Sequence, residues 1–158
     1  MEFDLIARIR ERAATRDDVV LGIGDDAALL QPPPAMQLVV AMDTLNAGVH
    51  FPHGTAPAAI GWKALAVNLS DLAAMGALPA WCTLSLSLPE ADAAFVDGFL
   101  DGFLALAGEH DVALVGDADR QRPTGGIATD QRNIMLTRQC EETVEEAVDE
   151  RGIRLGQR

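Results

Sequence analysis

Lys63-Ala64-Leu65-Ala66-Val67-Asn68-Leu69-Ser70-Asp71-Leu72-Ala73-Ala74-Met75-Gly76-Ala77 is the stretch around which the chain is organised. Ala, Leu and Met favour a helix, and Gly76 is a natural stop. The helix is expected to start near Pro57 and run to about Met75. Almost every side chain here is small or apolar, yet an amide, a hydroxyl and a carboxylate lie close together. Asn68 and Asp71 are three apart, so on a helix they share a face. A buried unpaired charge is costly. Asp71 is therefore hydrogen-bonded, set on a cation, or simply turned to solvent.

On the N-terminal side, residues 3–15 read as a short amphipathic helix, with Phe3, Leu5, Ile6 and Ile9 on one side. Leu21-Gly22-Ile23-Gly24-Asp25-Asp26-Ala27-Ala28 follows, a glycine-framed turn leading into paired acids. Adjacent acids point apart, so one of the two serves any given site. Residues 27–30 form a strand candidate, stopped by Pro32-Pro33-Pro34. Residues 38–44 read as a buried strand ending in Asp43-Thr44. The loop after it carries His50, either an ordinary loop histidine or a contact at a site.

On the C-terminal side, residues 81–88 alternate, with Thr83, Ser85 and Ser87 on one face and Leu84, Leu86 and Leu88 on the other. Pro89 ends this strand. Glu90 or Asp92 caps a helix running through Ala107, with a stripe of Phe95, Phe99, Phe103 and Leu106. Residues 112–115 make a last strand, running into Gly116-Asp117. The order is helix, strand, strand, helix, strand, helix, strand. That predicts an α+β fold, ferredoxin-like in form: a four-stranded mixed sheet with two helices on one face. Residues 118–158 read as a divergent tail, with a charged helix candidate over 141–151.

Composition narrows the function. A chain of 158 residues fits one domain with a real core. Its net charge of -12 weighs against nucleic acid and against an anionic membrane surface. Lys63 is the only lysine, so a polyphosphate ligand would need divalent metals to supply positive charge. Cys82 and Cys140 show no metal-site or C-x-x-C spacing, which reads as two free thiols in a reducing compartment. With no secretory leader and no span-length apolar run, the expected location is the cytoplasm. The chain holds no G-x-x-x-x-G-K-[ST] phosphate loop and no G-x-S-x-G elbow.

Four acids recur at element ends or on the small-residue helix: Asp26, Asp43, Asp71 and Asp117. Such carboxylates suit Mg²⁺, which combines a few of them with substrate phosphates. A shared cluster would serve phosphoryl transfer, where positioning and charge neutralisation dominate. Solvated loop acids are the plainer reading of the same pattern.

Gly22-Ile23-Gly24-Asp25-Asp26-Ala27-Ala28, then Met42-Asp43-Thr44-Leu45 with Gly48-Val49-His50-Phe51, then residues 63–76, together resemble the N-terminal half of the thiamine-monophosphate kinase family. A looser resemblance reaches the aminoimidazole ribonucleotide synthetase superfamily. The resemblance implies ATP-dependent phosphorylation of thiamine monophosphate to thiamine diphosphate. Carried over by motif, it makes Asp26, Asp43, Asp71, Asp117 and Thr44 metal-binding, His50 substrate-binding, and Gly116 and Asp117 ATP-binding. No catalytic side chain is implied, because the acceptor phosphate is already anionic. The resemblance also implies a homodimer through this domain.

The pattern departs from the family after the last strand. Gly116-Asp117-Ala118-Asp119-Arg120-Gln121-Arg122-Pro123 stands where the family usually has Gly-Gly-Asp-Thr-Thr-Arg-Gly-Pro. Residues 1–117 are thus expected to be an ATP- and Mg²⁺-binding domain, and the family's C-terminal domain to be absent. A truncated, non-catalytic remnant that binds Mg-nucleotide or a partner chain is the alternative.

Overall fold

The computed structural model describes residues 2–88, 92–119 and 132–140, with side chains over 6–88 and 92–116. The expected helix over 141–151, the Cys140 thiol and the Asp117 side chain lie outside the described residues. The elements are α1 (Glu2–Arg12), β1 (Val19–Leu21), β2 (Leu29–Leu30), β3 (Gln37–Leu45), α2 (Pro57–Ala74), β4 (Leu78–Leu86), α3 (Ala93–Glu109), β5 (Ala113–Asp119) and β6 (Arg132–Cys140).

The helices follow their local signals. Pro57 opens α2, where a missing N–H costs nothing. Gly76 ends it at φ 64°, and the Ala77 N–H closes back on the Leu72 carbonyl at 3.0 Å. Asp92 caps α3, accepting from the N–H groups of Ala94 (2.9 Å) and Phe95 (3.2 Å). Phe99 and Phe103 are fully buried and stack at 6.0 Å between ring centres. Arg8 holds α1 against α3 through Asp97 at 2.7 Å.

The strands fall into two sheets. One is four-stranded in the order β3-β6-β4-β5, with β4 and β5 parallel and β6 antiparallel to both neighbours. The other is the small antiparallel pair β1-β2. This corrects two expectations. Only Leu29–Leu30 of residues 27–30 is strand, and it pairs with Val19–Leu21, outside the larger sheet. The fourth strand of that sheet is instead Arg132–Cys140, from the stretch read as tail, and it lies between β3 and β4. The short β2 follows a tight turn and precedes Pro32-Pro33-Pro34, so few of its backbone groups are free to form a ladder.

Burial on β4 confirms its alternation. Cys82, Leu84 and Leu86 join the main core with Ile60, Leu65, Phe99 and Phe103 from α2 and α3. Trp81 leaves the other side and packs with Ala113 and Val115 against Val19, Ala28 and Leu30. The two longer helices therefore cover one face of β4, and the β1-β2 pair covers part of the opposite face. The Trp81 indole also donates to Asp18 Oδ1 at 3.0 Å, and Asp18 is paired with Arg16 at 2.9 Å.

Candidate functional site

Asp26 lies in the turn before β2 and is exposed. Gly24 stands there at φ 113°, a conformation for glycine, and a Cβ on it would meet the Arg10 guanidinium at 3.0 Å. The Asp26 N–H donates to Asp25 Oδ1 at 2.8 Å, so one acid of the pair braces the backbone of the other. The two adjacent acids thus have different local tasks.

Asp43 and Thr44 are half-buried on β3. Val39 and Ala41 pack into the main core, and Asp43 continues their side of the strand. Leu38, Val40 and Met42 are each at least half exposed on the opposite side, the side of Thr44. The Asp43 carboxylate and the Thr44 hydroxyl therefore leave β3 on opposite sides of the strand.

Asp43 has a register partner across the whole sheet. It pairs with Ile134, Ile134 with Leu84, and Leu84 with Asp117. Asp43 and Asp117 are the two ends of one row. Three inter-strand steps place their Cα atoms roughly 14 Å apart. That is too wide for both to ligate one Mg²⁺, whose ligand oxygens sit at about 2.1 Å. Gly116, the other expected nucleotide contact, pairs with Thr83, and a Cβ on it would press on Thr83 Cγ2 at 3.1 Å.

On α2 the amide and the acid separate. Asn68 is fully buried and Asp71 is exposed. Three residues on a helix are about 60° off alignment, which suffices at the border of the buried stripe. Asp71 is thus a solvent-facing carboxylate near the end of α2. The buried polar group of this helix is Asn68, whose Nδ2 donates to the Ala64 carbonyl at 3.0 Å while its Oδ1 has no partner. An amide in an Ala/Leu run was its only signal in the sequence.

His50 is exposed in the turn after β3, and its Nδ1 accepts the Asn46 N–H at 2.9 Å. Lys63, on α2, donates to the His50 carbonyl oxygen. Sequence reasoning singled out Lys63 for its charge but not for this link, which joins residues 13 apart in the chain.

Among the described residues no three His, Cys, Asp or Glu side chains form a group able to hold a metal ion. Asp26, Asp43 and Asp71 also form no salt bridge among the described residues. The donors are hard carboxylate oxygens on separate elements. Such a set fits Mg²⁺ arriving with a polyphosphate, which needs one or two carboxylates per ion, and does not make an all-protein cage.

Residues 24–129 match the model of the family described as AIR synthase related protein, N-terminal domain. The chain belongs to that family. The domain has the family's α+β fold. It is 50% identical over 123 residues to thiamine-monophosphate kinase of Escherichia coli, a match covering 77% of this chain and 38% of the relative. The domain is 47% identical over 107 residues to the enzyme of the same name from Synechococcus elongatus, covering 66% of this chain and 33% of the relative.

Among solved structures, thiamine-monophosphate kinase from Stenotrophomonas maltophilia superposes with a TM-score of 0.74 at 54% identity, over 90% of this chain and 43% of that one. AaThiL complexed with AMPPCP and TMP superposes at 0.61 with 31% identity, over 87% of this chain and 40% of that one. The AIR synthase related domain seen here thus spans about two fifths of the relatives it matches.

Proposed function

We propose that this chain is the nucleotide- and metal-binding part of a thiamine-monophosphate kinase, the enzyme that phosphorylates thiamine monophosphate with ATP to give thiamine diphosphate. The observation that carries the reading is the 54% identity to the Stenotrophomonas maltophilia kinase over 90% of this chain. The four-stranded sheet with α2 and α3 on one face is then the ferredoxin-like core of the domain.

The acids act by placement. Asp43 and Asp117, at opposite ends of one sheet row, would hold different Mg²⁺ ions. Asp26 and Asp71, both exposed, close the set from the turn before β2 and from α2. Bound Mg²⁺ supplies charge neutralisation between two anionic reactants. Thr44 would belong to the same metal site, one position on from Asp43 along β3. His50 contacts the substrate, and Gly116 lets the nucleotide approach β5. The acceptor phosphate needs no strong base, so no side chain is assigned to proton abstraction.

The apolar row Leu38, Val40 and Met42 on edge strand β3 supports a homodimer that joins sheets and shields it. Among the described residues no helix is long and apolar enough to cross a membrane. With Cys82 a free thiol, we place the protein in the cytoplasm.

The test combines binding and turnover. With Mg²⁺ and AMPPCP the melting temperature should rise, and the rise should vanish in Asp43→Asn. With ATP, Mg²⁺ and thiamine monophosphate, thiamine diphosphate should form and Asp71→Asn should slow it. Binding without product makes the chain a Mg-nucleotide-binding unit. No melting shift with either ligand refutes the site.

A further inference from the structure

The turn that carries His50 is closed by its own backbone. The Asn46 carbonyl accepts from the N–H groups of Val49 (3.2 Å) and His50 (2.9 Å), and the Gly48 N–H donates to the Phe51 carbonyl at 2.8 Å. Gly48 sits at φ 76°, and a Cβ there would lie 2.8 Å from His53 Nε2. The imidazole is tied to the same turn. Its Nδ1 accepts the Asn46 N–H, so the proton of the neutral ring is on Nε2. Among the described residues that N–H has no hydrogen-bond partner, which leaves it a donor suited to an anionic oxygen such as that of a phosphate ester.

Lys63 adds a tie from a different element, its ammonium donating to the His50 carbonyl oxygen. It is the only lysine in a chain of 24 acidic residues, yet among the described residues it is in no ion pair. A charged donor to a carbonyl is stronger than a neutral one. The bond links α2, which carries Asp71, to the turn that directly follows Asp43 and Thr44 on β3.

We infer that Lys63 is a positioning residue: it pins the 46–51 turn to α2 and so fixes His50 with Nε2–H outward for a phosphate-bearing substrate. The inference rests on the reading of His50 as a substrate contact, and its test separates the two. The ring nitrogens of His50 are observed by ¹⁵N NMR. The wild-type chain should show the Nε2–H tautomer. Lys63→Met keeps a good helix former at an exposed site, so the fold should persist by circular dichroism. This variant should show both tautomers and exchange its Gly48 and His50 amide protons about tenfold faster. Lys63→Arg should restore both signatures.

Thiamine monophosphate, titrated with Mg²⁺ and AMPPCP present, should bind about tenfold more weakly to Lys63→Met and regain affinity in Lys63→Arg. An unchanged tautomer and unchanged exchange in Lys63→Met overturn the inference. Loss of the NMR signatures with no thiamine monophosphate binding to the wild-type chain upholds the Lys63 tie and counts against the kinase reading.

Discussion

Gly102→Ala on α3 should cost about 2 kcal/mol of stability, although alanine is the better helix former. The α2–α3 packing is at backbone contact. A Cβ at Gly102 would lie 1.9 Å from the Ala58 carbonyl oxygen, and one at Gly61 would lie 1.9 Å from the Phe99 carbonyl oxygen. Ordinary contact begins at 3.4 Å, so the helices would have to part by about 1.5 Å. The atoms in the way are backbone and cannot swing aside. Parting the helices also loosens Ile60, Phe99 and Phe103, each at most 2% exposed. Overpacking against such a wall costs about 3 kcal/mol. The gain in helix propensity returns about 1 kcal/mol.

Urea unfolding should therefore show a lower midpoint at unchanged slope, and the melting temperature should drop by about 4–8 °C. Gly108→Ala is the internal control. It is in the same helix with nothing within 4 Å of its Cβ position, so it should stabilise by up to about 1 kcal/mol. A Gly102→Ala protein as stable as the parent, or gaining like Gly108→Ala, would refute the close-contact argument.

Asp18 predicts a pH signature. The hydrogen bond from Arg16 holds its carboxyl below the usual aspartate range, with the Trp81 indole helping. A lowered folded-state value means its stabilisation is present above the unfolded aspartate range and lost as pH falls through the folded value. Asp18→Asn should lose about 1 kcal/mol at neutral pH, and the gap to the parent should close in strong acid. A pH-independent gap would contradict the pairing. Cys82 is fully buried and its thiol is pushed well above the ordinary range by burial. Thiol reagents should label it at the rate of unfolding, faster in Gly102→Ala; rapid labelling of the native parent would contradict its burial.

The helices were legible because their signals are local. Pro57 and Gly76 bracket α2, Asp92 caps α3, and the Phe95–Phe99–Phe103 spacing marks the buried stripe of α3. The alternation of residues 81–88 gave the right faces for β4. The β6 strand was missed because Asn133-Ile134-Met135-Leu136-Thr137 is a short apolar run whose sheet neighbours, β3 and β4, lie far from it in sequence. Residues 27–30 misled for the converse reason. Ala27 to Leu30 is apolar enough for a strand, and nothing in it says which sheet it joins.

Sequence by itself determined the acids, the glycine turn before Asp26, the helix carrying Asp71 and the family that these residues resemble. These depend on side-chain type and on neighbours within a few positions. Only tertiary structure decided that Asp43 and Asp117 end one row across four strands, and that Asn68, not Asp71, is the buried polar group of α2. It also decided that Lys63 reaches back to His50. Each of these depends on how distant parts of the chain pack, with the apolar faces of the strands and helices burying one another.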